Sequence, residues 1–158
     1  MKSSIKTGLS FGLTSAVITT LGLMVGLSAG THSKLVVLGG ILTIAIADSF
    51  SDALGIHISE ESDKQNKDNH VWESTLSTFL CKLLFALTFV IPIIIFDLTT
   101  AIIISIIWGL SVLSILSYKI AKKRKSNPWK VIGEHLLIAV LVIIITHLVG
   151  TFVANNFV

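Results

Sequence analysis

Five apolar stretches, each about as long as a bilayer is thick, make up most of this chain and leave it few ways to fold. They run over residues 8–30, 35–58, 74–96, 99–117 and 131–152. Roughly 20 apolar residues are needed for a helix to cross the hydrocarbon. In lipid every backbone N–H and C=O must find its partner within the protein, so such stretches are helices. The expected product is an all-α integral membrane protein, a single five-helix transmembrane domain over residues 1–158. With 13% charged residues and mean hydropathy +0.87, a soluble globular enzyme is excluded. The first stretch follows Lys2 and Lys6 and ends in LSAG, as a signal peptide would. It is too long and glycine-rich for an h-region and four more spans follow it, so it is read as a retained helix.

The connections fix neighbours. Spans one and two are joined by Thr31 to Lys34, and three and four by little more than Asp97 and Leu98. Both pairs must be antiparallel hairpins. Asp97 or Thr99 is expected to cap the fourth helix, and Asn127-Pro128 to start the fifth. If the spans alternate, ten of the twelve Lys and Arg residues fall on one side. Lys34 alone lies on the other, and Lys82 lies within a span. The bias predicts a cytoplasmic amino terminus and a carboxyl terminus outside. Trp72 and Trp129 then belong to the cytoplasmic interface. The basic loop KIAKKRKSNPWK reads as a topology signal attracted to anionic lipid headgroups, with no nucleic-acid partner. Cys81, the single cysteine, reads as a small apolar residue.

Against this background the intramembrane charges stand out. Asp48 and Asp52 are four residues apart, which stacks them on one helical face with Gly55, Ser59 and Ser62. Each acid at bilayer depth costs about 2.5–3.5 kcal/mol on insertion scales, so a pair implies a site for something cationic. Lys82, two turns from the end of the third span, can pair with an aspartate or snorkel to the interface; snorkelling is expected. Glu60, Glu61 and Asp63, with His57 and His70 nearby, either gather cations at a pathway mouth or form a solvated helix end. Glu134 and His135 fall in the first turn of the fifth span, where Glu134 suits the helix dipole or lines a pathway. His147, deeper in that span, either makes an interhelical hydrogen bond or relays protons. Gly8 with Gly12, and Gly22, Gly26 and Gly30, form small-residue stripes for tight helix contact within or between subunits; Gly55 is assigned to packing too. Pro92 is expected to kink the third span.

Five helices are few to enclose a pathway, and a cyclic dimer is the economical remedy. If the second helix lined the two-fold axis, Asp48 and Asp52 would become four carboxylates around one cavity. Such a cluster holds either protons or a divalent cation, and competition between them is the basis of an exchanger.

The chain resembles the vacuolar iron transporter family, which includes the yeast vacuolar calcium and manganese transporter. The segment GLSFGLTSAV is similar to the family's Gly-x-Asn-Asp-Gly-Leu opening, and SDALGIHISEESD to its Ser-Met-Ala-Leu-Gly-Glu-Tyr-Leu-Ser stretch. Pro92 in FVIPIII and THLVG in the fifth span also match family segments. The resemblance implies five spans and a homodimer with the pathway at its axis. It also marks departures: the first-span aspartate falls on Phe11, the second-span methionine on Asp52, and Gly-Glu-Tyr on Gly55-Ile56-His57. The long cytoplasmic insertion of plant members is reduced to Glu60–Glu73, as in a short, divergent prokaryotic branch.

The resulting expectation is a multi-pass protein of a prokaryotic cell membrane that exports a divalent cation, Fe²⁺ or Mn²⁺, from the cytoplasm in exchange for protons. Asp48, Asp52, Glu60 and Glu61 would hold metal, and His147, Ser59, Glu134 and His57 would relay protons or line the pathway. The metal is substrate, and no cofactor is expected. Two other classes remain open at this point. One is a membrane enzyme of phosphatidyltransferase type, whose aspartate motif Asp48-x3-Asp52 partly matches; intramembrane aspartyl proteolysis normally draws its two aspartates from different helices. The other is a non-transporting scaffold in which the aspartates pair with Lys82.

Overall fold

The computed structural model describes residues 2–157, nearly all of them helical. Six helices follow in order: α1 (Ser3–Thr31), α2 (Lys34–Glu61), α3 (Asp68–Thr88), α4 (Val90–Ile95), α5 (Leu98–Lys123) and α6 (Pro128–Phe157). Helices α3 and α4 form one broken span, so the bundle has five helices long and apolar enough to cross a membrane. The helices outrun the apolar stretches at their ends, because backbone bonding continues past the hydrocarbon into polar residues. At 30 residues, α6 measures about 45 Å.

The turns carry their own chemistry. His32 adopts a left-handed conformation, φ 48°, and its N–H closes α1 on the Ser28 carbonyl at 3.0 Å. Ser33 then caps α2 by accepting from the Val36 N–H. Of the two candidates for the fourth span, Asp97 is the cap: its carboxylate accepts from the Thr100 N–H at 3.0 Å. That backbone bond holds the Asp97 carboxyl below the usual carboxylate range. Asn127 likewise accepts from the Trp129 N–H at 3.1 Å where α6 begins at Pro128.

The break between α3 and α4 follows from Pro92. Proline has no N–H for the carbonyl four residues back, at Thr88, and its ring crowds that carbonyl. The helix stops at Thr88 and resumes at Val90, with Phe89 as the joint. The Thr88 hydroxyl donates to the Phe85 carbonyl at 2.6 Å and accepts from Trp108 Nε1 of α5 at 3.2 Å, which ties the joint to its neighbour.

Helix α1 is the centre of the bundle, packing on α2, α3, α5 and α6. Its glycines sort by partner. Gly8 and Gly12 lie against α3, whereas Gly22, Gly26 and Gly30 lie against α6. Both stripes therefore serve contacts within the chain. Gly55 does not: a Cβ there would meet nothing within 4 Å, so it takes no part in packing inside the chain. The core joins Val17, Leu21 and Met24 of α1 to Ile41, Phe89, Ala101 and Leu113. At Gly12 a Cβ would come 2.8 Å from the Thr78 carbonyl oxygen, a backbone atom that cannot swing away. Gly12→Leu should therefore force α1 and α3 apart. Overpacking of this kind costs about 1–3 kcal/mol or more, and a lowered thermal unfolding midpoint in detergent checks it.

Candidate functional site

The close approach of α1, α2 and α3 assembles one polar cluster inside the bundle. Helix α3 presents an i, i+4 stripe of Ser74, Thr78, Lys82 and Ala86 to the interior, all buried. Lys82 is the largest fully buried side chain, 1% exposed. It does not snorkel. Its ammonium donates to Asp52 Oδ2 and to Ser15 Oγ of α1, the latter at 2.8 Å, and stands 2.5 Å from Asp48 Oδ2. The physical reason is that two carboxylates on α2 lie within its reach, and pairing in a low-dielectric interior outweighs a longer path to water. Lys82 approaches Asp48 off the hydrogen-bonding direction, so that buried oxygen has an ion-pair contact but no hydrogen bond.

The aspartates are only partly covered: the Asp48 side chain is 24% exposed and that of Asp52 17%. They open onto an α2 face that the chain leaves uncovered, where Ser51, Gly55 and Ser59 are exposed beside them. Two carboxylates and one ammonium give the cluster a formal charge of −1. Chemically, it is a pair of hard oxygen ligands whose counter-charge is a tethered ammonium. An incoming cation must compete with Lys82 for the same oxygens.

The remaining candidates do not converge on this cluster. Glu60 folds back on the α2–α3 connection, accepting from Asn66 Nδ2 at 2.8 Å and pairing with His70 Nε2 at 3.2 Å. Glu61 is exposed at the helix end. His57 Nδ1 lies 3.0 Å from the Thr75 hydroxyl, with its ring edge-on to Trp72 at 4.7 Å, so it bridges α2 to α3 near the interface. Glu134 is exposed on α6, while its neighbour His135 meets the Ser117 hydroxyl at 2.7 Å. His147 is exposed at the far end of the bundle and shares a cavity of 250 Å³ with His32, Ser28 and Thr99. Among the described residues no group of three or more His, Cys, Asp or Glu side chains gathers into a metal cage. Within one chain, Asp48 and Asp52 are the acids the fold brings to a common point.

A family model described as the VIT family matches residues 52–151, more than half of the chain. The protein belongs to the vacuolar iron transporter (VIT) family. No curated protein matches the chain. Membership makes this VIT-family protein a multi-pass membrane protein of metal-ion transport, and sets aside the phosphatidyltransferase and protease readings of its aspartates. The matched stretch opens on Asp52 and includes Lys82, while α1 and Asp48 precede it. Phe11, where the resemblance puts an aspartate, is 43% exposed and lies one helical turn before Ser15 of the cluster. Sequence reasoning underrated one residue, Lys82. The signal for it was present in the Ser74-Thr78-Lys82-Ala86 stripe, whose small polar members mark the face turned toward a neighbouring helix.

Proposed function

We propose that this VIT-family protein works as a homodimer that exports Fe²⁺ or Mn²⁺ from the cytoplasm in exchange for protons, using Asp48 and Asp52 as metal and proton ligands. The observation that carries the reading is the Asp48–Asp52–Lys82 cluster at the edge of an uncovered α2 face. That face presents Gly39, Thr43, Ala47, Ser51, Gly55 and Ser59 at successive four-residue intervals, all exposed, and a run of small residues lets two helices approach closely. Gly55 then has a role between chains that it lacks within one. Two copies facing across a two-fold axis would bring two clusters of formal charge −1 together, and one divalent cation would neutralise them. The lysine distribution supports a cytoplasmic amino terminus, which puts the cluster in the cytoplasmic half of the membrane. Oxygen ligands suit Fe²⁺, Mn²⁺, Mg²⁺ and Ca²⁺, so the choice among them rests on the family.

Purified protein in liposomes with a trapped metal-sensitive dye tests the reading directly. Fe²⁺ or Mn²⁺ should accumulate on one side and acidify the other, faster with an opposing proton gradient. A well-folded protein that moves no divalent ion would overturn it. The Lys82 ion pairs favour a second reading of the cluster, a structural ion pair that holds no metal. The two differ in whether metal binds when Lys82 is removed.

A further inference from the structure

A groove lined by no residue of the aspartate cluster, and independent of what is transported, runs between the first turns of α1 and the last turns of α5 at the lysine-rich end of the bundle. Its volume is 770 Å³, within the range of small-molecule sites. The lining is graded along the two helices. Leu13 and Leu116 lie farthest from the helix ends, Leu9, Lys119 and Ile120 come next, and Lys6, Lys123 and Arg124 stand nearest the ends. Hydroxyls of Ser3, Thr7 and Ser10 line the same wall. No carboxylate lines the groove, and none of its four cations pairs with one among the described residues. The neighbouring Lys6 ammonium, a like charge beside it, holds Lys123 below the usual lysine range. Four cations crowded without a counter-ion over an apolar floor complement a molecule that is anionic at one end and hydrocarbon at the other.

We infer that this α1–α5 groove is a binding site for one anionic phospholipid. Its phosphate lies among Lys6, Lys119, Lys123 and Arg124, and the start of an acyl chain lies on Leu9, Leu13 and Leu116. The site differs from the general attraction of a basic loop to a charged surface, because it assigns the work to particular lysines. Lys122, Lys125 and Lys130 belong to the same basic segment but do not line the groove.

Native mass spectrometry of the full-length protein, partly delipidated and then titrated with phosphatidylglycerol, checks the site. One phosphatidylglycerol per chain should be retained, with phosphatidylcholine of the same chain length lost. The double variant K119Q/K123Q should weaken retention about tenfold or more. K119R/K123R should restore it, and K122Q/K125Q, which removes equal charge outside the groove, should leave it unchanged. Equal weakening by K122Q/K125Q would overturn the proposal in favour of diffuse surface attraction. Equal retention of phosphatidylcholine would overturn it as well. A third arm adds inorganic phosphate at matched molarity: it should fail to displace the lipid, and one-for-one displacement would mark a free-phosphate site instead.

Discussion

Replacing Asp52 with asparagine should nearly abolish divalent-metal flux in liposomes while leaving the protein folded. Asparagine keeps the size of the side chain and an oxygen toward Lys82, but removes the charge that makes the site attractive to a cation. Even partners one shell removed from a metal cost about 10–100-fold in affinity when lost, and a direct ligand should cost at least that. Asp48→Asn should do the same, because the reading needs both oxygens of the stripe. Lys82 keeps its Ser15 partner in either variant, so the fold retains a hydrogen bond for the buried ammonium. The measurement is initial rate of metal entry, with circular dichroism and elution as a dimer as controls for folding. Flux retained in both variants would move the metal elsewhere in the bundle and sink the site assignment without touching membership of the family.

Lys82→Met should act in the opposite sense on binding and should strongly destabilise the empty protein. The methionine fits the space but leaves two carboxylates in the interior with no counter-charge. Breaking a buried pair by removing one partner costs about 3–5 kcal/mol. For a chain of this size that is a fall of about 10 °C in the unfolding midpoint. If metal and lysine compete for the same oxygens, added Mn²⁺ should recover much of that loss, since anything that binds only the folded state stabilises it. The wild-type midpoint should move less under the same Mn²⁺, because Lys82 must first be displaced. Transport should fall in turnover while apparent KM falls too: tighter binding, slower release. If Mn²⁺ gives Lys82→Met no recovery, the cluster is a structural ion pair and the metal binds elsewhere in the bundle. The double variant K82M/D52N removes one charge of each sign, and should regain stability without regaining flux.

The five spans were legible because hydropathy over about 20 residues is a local property, and an apolar run of that length satisfies its backbone in lipid as a helix. The aspartate stripe was legible for the same kind of reason, as helical periodicity alone puts Asp48 and Asp52 on one face. Asp97 as a cap and Pro92 as a break point were readable because both act on backbone groups within one turn of themselves.

Lys82 is the instructive failure. From sequence it is a long cation two turns from an interface, and snorkelling is what such a residue does when nothing opposite it is charged. Whether something is opposite depends on the rotation of α3 about its own axis relative to α2, which no local pattern fixes. The same holds for the glycines. Their spacing announced close contact, but that Gly12 meets Thr78 of α3 while Gly26 meets Thr146 of α6 depends on which helices surround α1.

The sequence by itself determined the number of spans, the distribution of lysines between their ends, and the presence of two acids on one helical face. Each is settled by residues within a turn or two of one another, or by their transfer into lipid. Only the tertiary structure decided that α1 is central, that Lys82 is buried against both aspartates, and that α2 keeps a small-residue face uncovered. Those facts are angles and distances between helices, set by the packing of the whole bundle, and no single segment carries them.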